Sequence, residues 1–545
     1  MVRDLRRLSD TRFDVLVIGA GVYGAAIAWD AADRGLSVAL VDRGDFGGGT
    51  SFNNLKTLHG GLRSLQALNL PQMRRFIRER RALARIVPHL VRPLPFVIPT
   101  TRGPRRSRAL MRLALRINDL VARDRNEGIS DPALHLPASH LVSRAETLRL
   151  NPFIAPEGVT GGAVWHDYQM TNADRVTFSF TLSAARAGAI VANYVAADSF
   201  VVEGGRVVGA RLTDVRTSSP LDVRARVVVN AAGAWAPELA KALAGGTQSV
   251  PAPRLSRAMN VVLGPTTATH ACGGMVDGRF LFLVPWRGVA MLGTSHDVHE
   301  GAADALAATR TDLDRFLDEG RAAFPGARLS RSDVRLVHRG LLPMVAGHGS
   351  DVSLLRESAV VDHAAHGAPG LISVHGVRYT TARHTAQQAV DAAFLSMGHA
   401  TPPRCRTDTT PLFGGGLQSV SGLLKELTAH GSPDVLPAVL TRLVTTYGTE
   451  YNRVLQLARE TPTLGAPLGR KCAVTAAEIV YAARQEMALT LSDALIRRTE
   501  AGSAGHPGDD AVETAATVLA AEHHWDESRR RAEVDAVHAF YKLES

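Results

Sequence analysis

Residues 13 to 18, FDVLVI, form a short apolar run rich in β-branched side chains, the pattern of a parallel strand buried on both faces. The run stops at Gly19. The following AAIAWDAADRG carries Ala25, Ala28 and Ala32 along one side of a helix, and SVALVD supplies a second strand ending at Asp42. A βαβ unit is therefore predicted at the start of the chain. From 158 to 235 the pattern shifts to short valine-rich runs separated by Gly-Gly and polar turns, which predicts hairpins of an antiparallel layer. The last of these, VVVNAAGAW (227–235), reads as a strand closed by a turn at Ala232-Gly233. Residues 401 to 416 are proline-rich and then glycine-rich, a linker composition. Helical periodicity dominates from 417 to 545, which predicts an all-helical C-terminal domain. The expected fold class is α/β: a Rossmann-like domain interleaved with an antiparallel-sheet substrate domain, followed by helices.

Composition narrows the class. A chain of 545 residues accommodates three or four structural units, and 45% apolar with 21% charged residues is the balance of a folded protein. Cys272, Cys405 and Cys472 lie far apart with no CxxC pair, so no disulfide framework or cysteine zinc site is expected. His523-His524 are adjacent on a helix, about 100° apart, and no metal is expected there. The net charge of +10 admits nucleic acid, an anionic membrane surface or an acidic substrate. No nucleic-acid motif accompanies the arginines, and no nucleic-acid partner is expected. Much of the excess lies in residues 71 to 125, where Leu110, Leu113, Ile117 and Leu120 share one side of a helix otherwise crowded with arginine. That pattern fits either a membrane-surface helix or a solvated one packed by its leucines. No spanning run or signal peptide is evident, so a cytoplasmic protein, peripheral on the membrane at most, is expected.

The sharpest chemistry follows the first strand. Gly19-Ala20-Gly21-Val22-Tyr23-Gly24 is a GxGxxG turn: Gly19 permits the tight turn, Gly21 admits a pyrophosphate, and Gly24 lets the helix pack on the strand. Asp42 stands where a ribose hydroxyl would be bound. With both strands and the helix in place this is a dinucleotide site, which Tyr23 joins. The chain then continues as RGDFGGGTSFNNLKTLHGGLRSL, where a nicotinamide domain would return to hydrophobic βα structure. Thr50, Ser51 and Lys56 can donate to a long, extended cofactor, and His59-Gly60-Gly61 can approach a flat ring. These features favour FAD.

The segment after Asp42 resembles that of the FAD-dependent glycerol-3-phosphate dehydrogenases, close to GDF(A)SGTSS…K…HGGLRYL. Three further stretches are similar in the same order: 278 to 297 around Gly293-Thr294, GLISVHGVRYTTARHTAQQAVD (370–391) and 470 to 500. The resemblance covers essentially the whole chain. It implies FAD-binding segments at about 12–70, 158–240 and 340–395 within an oxidoreductase region of 1–400, with Ala232, Gly233, Gly376 and Thr380 near the cofactor. It further implies oxidation of the secondary alcohol of glycerol 3-phosphate or a related anionic polyol, electron transfer to quinone, and contact with a membrane; a homodimer stays open. Arg63, Arg356 and Arg378 register with the phosphate- and substrate-binding positions and Thr294 with the family's Gly-Thr turn. His59 is the first candidate base and His375 the second, since a neutral imidazole accepts a hydroxyl proton near pH 7.

The chain departs from the pattern on the substrate side. Ser64 replaces a tyrosine, Leu342 an arginine, Arg378 a lysine and Ala382 a tyrosine. Arg339, three residues before Leu342 on a strand, faces the other way and does not substitute. The departures predict an altered, roomier pocket. They also keep open a flavin oxidase acting on another substrate class, or a flavin-binding protein without turnover.

Overall fold

The computed structural model of the chain describes residues 1–241, 243, 253–345, 352–429 and 436–543; the side chains of residues 63, 66, 105 and 241 lie outside the description. Strand Arg12–Ile18 is central to the first sheet. It pairs in parallel with Val38–Val41 on one side and Ser219–Asn230 on the other; Ile190–Ala192 and Leu371–His375 extend the sheet in parallel, and antiparallel Ala359–Asp362 closes one edge. The period of two in FDVLVI is used on both faces. Val15 and Val17 pack in the core that holds helices Val22–Asp33, Ala173–Arg186 and Ala382–Ser396, while Leu16 and Ile18 pack with Phe200 and Leu212 of a hairpin layer. Strand Ser219–Asn230 serves both layers. Its first half pairs antiparallel with 209–214, its second half runs parallel to Arg12–Ile18, and Arg224 pairs with both.

The second sheet has the order Leu336–Met344, Arg254–Pro265, Val289–His299, Arg279–Trp286, Ala271–Val276, Val91–Thr100, Gly161–Met170, Thr57–Leu58. The 158–240 and 340–395 segments expected in the FAD-binding part are therefore divided. Strand Gly161–Met170 pairs along its whole length with Val91–Thr100, and Leu336–Met344 with Arg254–Pro265, so both belong to the second sheet. The hairpin pattern also conceals helix Ala173–Arg186, whose Val176, Phe178, Phe180 and Leu182 alternate with polar residues as a strand would. Residues 173–184 are all buried, so no polar face marks the helix. Its hydroxyls are satisfied internally: Thr177, Ser179 and Ser183 donate to the carbonyls four residues back, at 3.2, 2.8 and 2.7 Å.

Residues 400–418 contain no helix or strand, yet they are tied down, with the Leu412 N–H donating to the Ile86 carbonyl and the Phe413 N–H to Ser183 Oγ. The C-terminal region that follows is helical, with one short hairpin, Pro467–Gly469 and Cys472–Thr475, that the helical reading did not foresee. Two buried ion pairs join it to the first domain: Arg175 donates to both carboxylate oxygens of Glu486 (2.6 and 2.5 Å), and Arg498 to both of Asp45 (2.7 and 2.6 Å). Among the described residues, no helix is long and apolar enough to cross a membrane.

Candidate active site

The glycine turn forms a cradle at the carboxyl end of the central strand. Gly19 has φ +96°, and a Cβ there would stand 2.6 Å from the Ala231 carbonyl oxygen; on Gly24 it would stand 1.8 Å from the Gly19 oxygen. Helix Val22–Asp33 starts at Gly21 without a capping side chain on that residue, and the Val22 N–H donates to Ser51 Oγ at 2.9 Å. Asp42 accepts from the Ala20 and Gly44 N–H groups (2.6 and 2.9 Å), and burial pushes its carboxyl up to about 6. The turn at Ala231-Ala232 packs against Gly19, and Gly233 has φ +59°. The tight turn that only glycine allows at 19 and 24, beside a helix N-terminus and the half-buried Asp42 carboxylate, fits the pyrophosphate and ribose of FAD.

Several residues expected to touch the cofactor have other partners. Thr50 Oγ1 donates to the Leu341 carbonyl (2.9 Å) and accepts the Leu341 N–H (3.1 Å), pinning the loop to the second sheet. Lys56, fully buried, donates to the Phe52 carbonyl at 2.9 Å, and burial brings its ammonium down to about 8. The Tyr23 hydroxyl donates to the Arg378 carbonyl and receives the Val377 and Arg378 N–H groups; its ring fills the place a side chain on Gly376 would need, 2.1 Å away. Tyr23 thus fixes the 375–378 segment to the cofactor helix. Thr294 donates to Asn260, which donates to Asn53 of the loop (2.8 and 2.7 Å).

His59 and Thr380 meet: the His59 N–H donates to Thr380 Oγ1 at 3.3 Å. The His59 ring is partly exposed, with Phe96 and Phe282 at 6.1 and 5.9 Å, and its Nδ1 lies 3.4 Å from Asp167 Oδ2. Asp167 Oδ1 accepts from the Gly60 N–H (2.8 Å) and from Arg80. Burial alone would raise the Asp167 carboxyl, but the His59 ring, the Arg80 guanidinium and the Gly60 N–H outweigh it and hold it below its usual range. A Cβ on Gly60 would stand 2.3 Å from Arg80 Nη1 and 2.9 Å from Asp167 Oδ1, so this ion pair already accounts for the missing side chain. Gly61 has φ +77° and sits against Phe76 and Met73. His375, second candidate for the base, is buried at a strand end, and burial lowers its basicity.

Arg63 lies in the turn Leu62–Ala67, its side chain outside the described residues. The next residue, Ser64, opens a short network: its hydroxyl donates to Gln72 Oε1 (3.1 Å), and Gln72 Nε2 and Arg378 Nε both donate to the Arg356 carbonyl (3.2 and 3.3 Å). Arg378 lies over the Phe76 ring at 5.6 Å. Arg356 and Arg378 are both exposed and share a small cavity with Gln72, Arg75 and His384. Ala382 does not enlarge this cavity, because it is buried in the hydrophobic core. The sequence reading missed Asp167, Arg80 and Gln72. Arg80 belongs to the basic run read as surface charge, and it is buried.

Fold and cradle define a FAD-dependent oxidoreductase, and residues 14–388 match the family model described as FAD dependent oxidoreductase; 405–530 match the C-terminal domain of alpha-glycerophosphate oxidase. The chain is 33% identical to glycerol-3-phosphate dehydrogenase 2 of Mycobacterium tuberculosis, over 94% of this chain and 86% of that one. It is 30% identical to the mitochondrial glycerol-3-phosphate dehydrogenase of Mesocricetus auratus, over 98% of this chain and 74% of that one. The crystal structure of glycerol-3-phosphate dehydrogenase from Bacillus halodurans complexed with FAD has the same fold, with TM-score 0.78 and 24% identity, covering 99% of this chain and 96% of that one. The chain belongs to the FAD-dependent glycerol-3-phosphate dehydrogenase family.

Proposed function

We propose that the protein oxidises the secondary alcohol of glycerol 3-phosphate, or of a closely related phosphorylated polyol, to the ketone and passes the electrons to a membrane quinone. The observation that supports this reading is the cavity shared by Arg356 and Arg378, which Tyr23 ties to the helix of the glycine turn, with the His59 N–H held by Thr380 two residues after Arg378. Bound FAD supplies the two-electron acceptor for the hydride leaving carbon. The chain's own residues do the rest. Arg63, Arg356 and Arg378 hold the phosphate with charge-assisted hydrogen bonds, and His59 takes the hydroxyl proton. Arg378 in place of the family's lysine and Ser64 in place of its tyrosine are expected to admit bulkier phosphorylated polyols beside glycerol 3-phosphate. His59→Gln, followed by anaerobic single-turnover flavin reduction, tests the base: an undiminished rate rejects it.

The membrane assignment is supported by helix Arg108–Val121. Leu113 and Leu120 are 56% and 69% exposed; Leu115 is the buried leucine of that helix. Exposed leucines interleaved with arginines suit an anionic lipid surface. Sedimentation with vesicles containing anionic lipid, compared between the parent and Leu113→Ser/Leu120→Ser, reads it: equal binding by both rejects the assignment.

A further inference from the structure

Beside His59 lies the buried carboxylate of Asp167, to which the proposed reaction assigns no task. Asp167 stands on strand Gly161–Met170 of the second sheet, 4% exposed. Its two oxygens have separate tasks. Oδ1 accepts the Gly60 N–H at 2.8 Å and the Arg80 guanidinium, which fixes both the carboxylate and the backbone after His59. Arg80 is itself held by donation to the His166 carbonyl at 3.1 Å. Oδ2 faces the ring, 3.4 Å from His59 Nδ1, and catalytic hydrogen bonds that are long in a free enzyme shorten in its substrate complex. The backbone of His59 is held independently by Thr380.

An ionised carboxylate only accepts, so a ring nitrogen bound to it must carry the hydrogen. We propose that Asp167 is a positioning residue that sets the His59 tautomer and ring orientation, placing the hydrogen on Nδ1 and leaving the Nε2 lone pair to take the substrate proton. This inference rests on the reading of His59 as the base. Its logic is that of the carboxylate behind a catalytic histidine, where an amide in place of the acid favours the wrong tautomer while the geometry survives.

The test is a double-substitution cycle on the FAD-loaded enzyme, read as the limiting rate of anaerobic flavin reduction by glycerol 3-phosphate and as the Kd from its concentration dependence. Asp167→Asn is expected to lower the limiting rate about 100-fold or more, with Kd changed by less than about threefold. In the His59→Gln background the same substitution is expected to add less than about threefold, since the two residues act as one unit. An equal loss in both backgrounds, or no loss in the parent, overturns the proposal while leaving His59 as the base. A full rate in His59→Gln alone overturns the base assignment and the proposal together. Because Asp167→Asn leaves Arg80 charged and unpaired in the interior, Arg80→Met/Asp167→Asn, which removes both charges, is carried through the same cycle. Loss of FAD from both variants makes the pair a part of the fold and also overturns the proposal.

Discussion

Replacing Arg378 by methionine keeps a side chain of comparable length over the Phe76 ring and removes the charge. Arg378 is exposed, and its Nε donates to the Arg356 carbonyl. A unit charge about 4 Å from another is worth about 1 kcal/mol in a water-like medium and about 4 kcal/mol at an effective dielectric of 20. For an open site facing a phosphate of nearly two charges the lower end applies, giving about 1.5 to 2 kcal/mol, a weakening of about 10- to 30-fold. The assay is anaerobic flavin reduction across a concentration series of glycerol 3-phosphate. Kd is expected to rise by that factor with the limiting rate nearly unchanged, and the gap between parent and variant is expected to narrow at high salt. An unchanged Kd, or a loss confined to the limiting rate, refutes the placement of the phosphate at Arg378. Arg378→Lys, which restores the family's residue, is expected to shift preference toward glycerol 3-phosphate over bulkier polyol phosphates.

Three other outcomes follow from the packing. Gly60→Ala drives a Cβ into the buried Arg80–Asp167 pair and is expected to cost about 1 to 3 kcal/mol in a thermal melt, with a slower flavin reduction; a neutral result contradicts the reading of Gly60. The Asp42 carboxyl is raised by burial from its ordinary value to about 6, so the stability it contributes to the FAD-free protein is present below the unfolded value and is lost as pH rises through about 6. Urea titrations of the FAD-free protein between pH 4 and 7 are expected to show that slope, and Asp42→Asn to abolish it; an unaltered slope rejects the cause. Arg175→Met is expected to cost about 3 to 5 kcal/mol by stranding Glu486, with most of it regained in Arg175→Met/Glu486→Met, as read by urea unfolding.

The parts legible in the sequence were those set by local pattern. FDVLVI, the glycine turn and SVALVD appear as the expected βαβ unit because each depends on neighbours within a few tens of residues. The helical C-terminal region was legible for the same reason. Helix Ala173–Arg186 was not, because complete burial removes the polar face that gives a helix its period, and its serines and threonines imitate a strand's alternation. The assignment of Gly161–Met170 to the second sheet depends on pairing with Val91–Thr100, which no local pattern carries. In the candidate site, His59 and the arginines were proposed from motifs, whereas Asp167 and Arg80 come from segments 87 residues apart and meet only through that sheet and helix Leu70–Ile86. Motif glycines were also assigned too narrowly: Gly60 makes room for this ion pair and Gly376 for the Tyr23 ring.

The central claim, that this chain oxidises a phosphorylated polyol at a flavin, is tested most directly by mixing the purified FAD-bound protein anaerobically with glycerol 3-phosphate and a panel of larger polyol phosphates and following the flavin absorbance. Bleaching is expected with at least one phosphorylated polyol, with one ketone formed per flavin reduced, and none with the unphosphorylated polyols at the same concentration. A flavin that stays yellow with every phosphate in the panel, or that bleaches equally well with the unphosphorylated compounds, contradicts it.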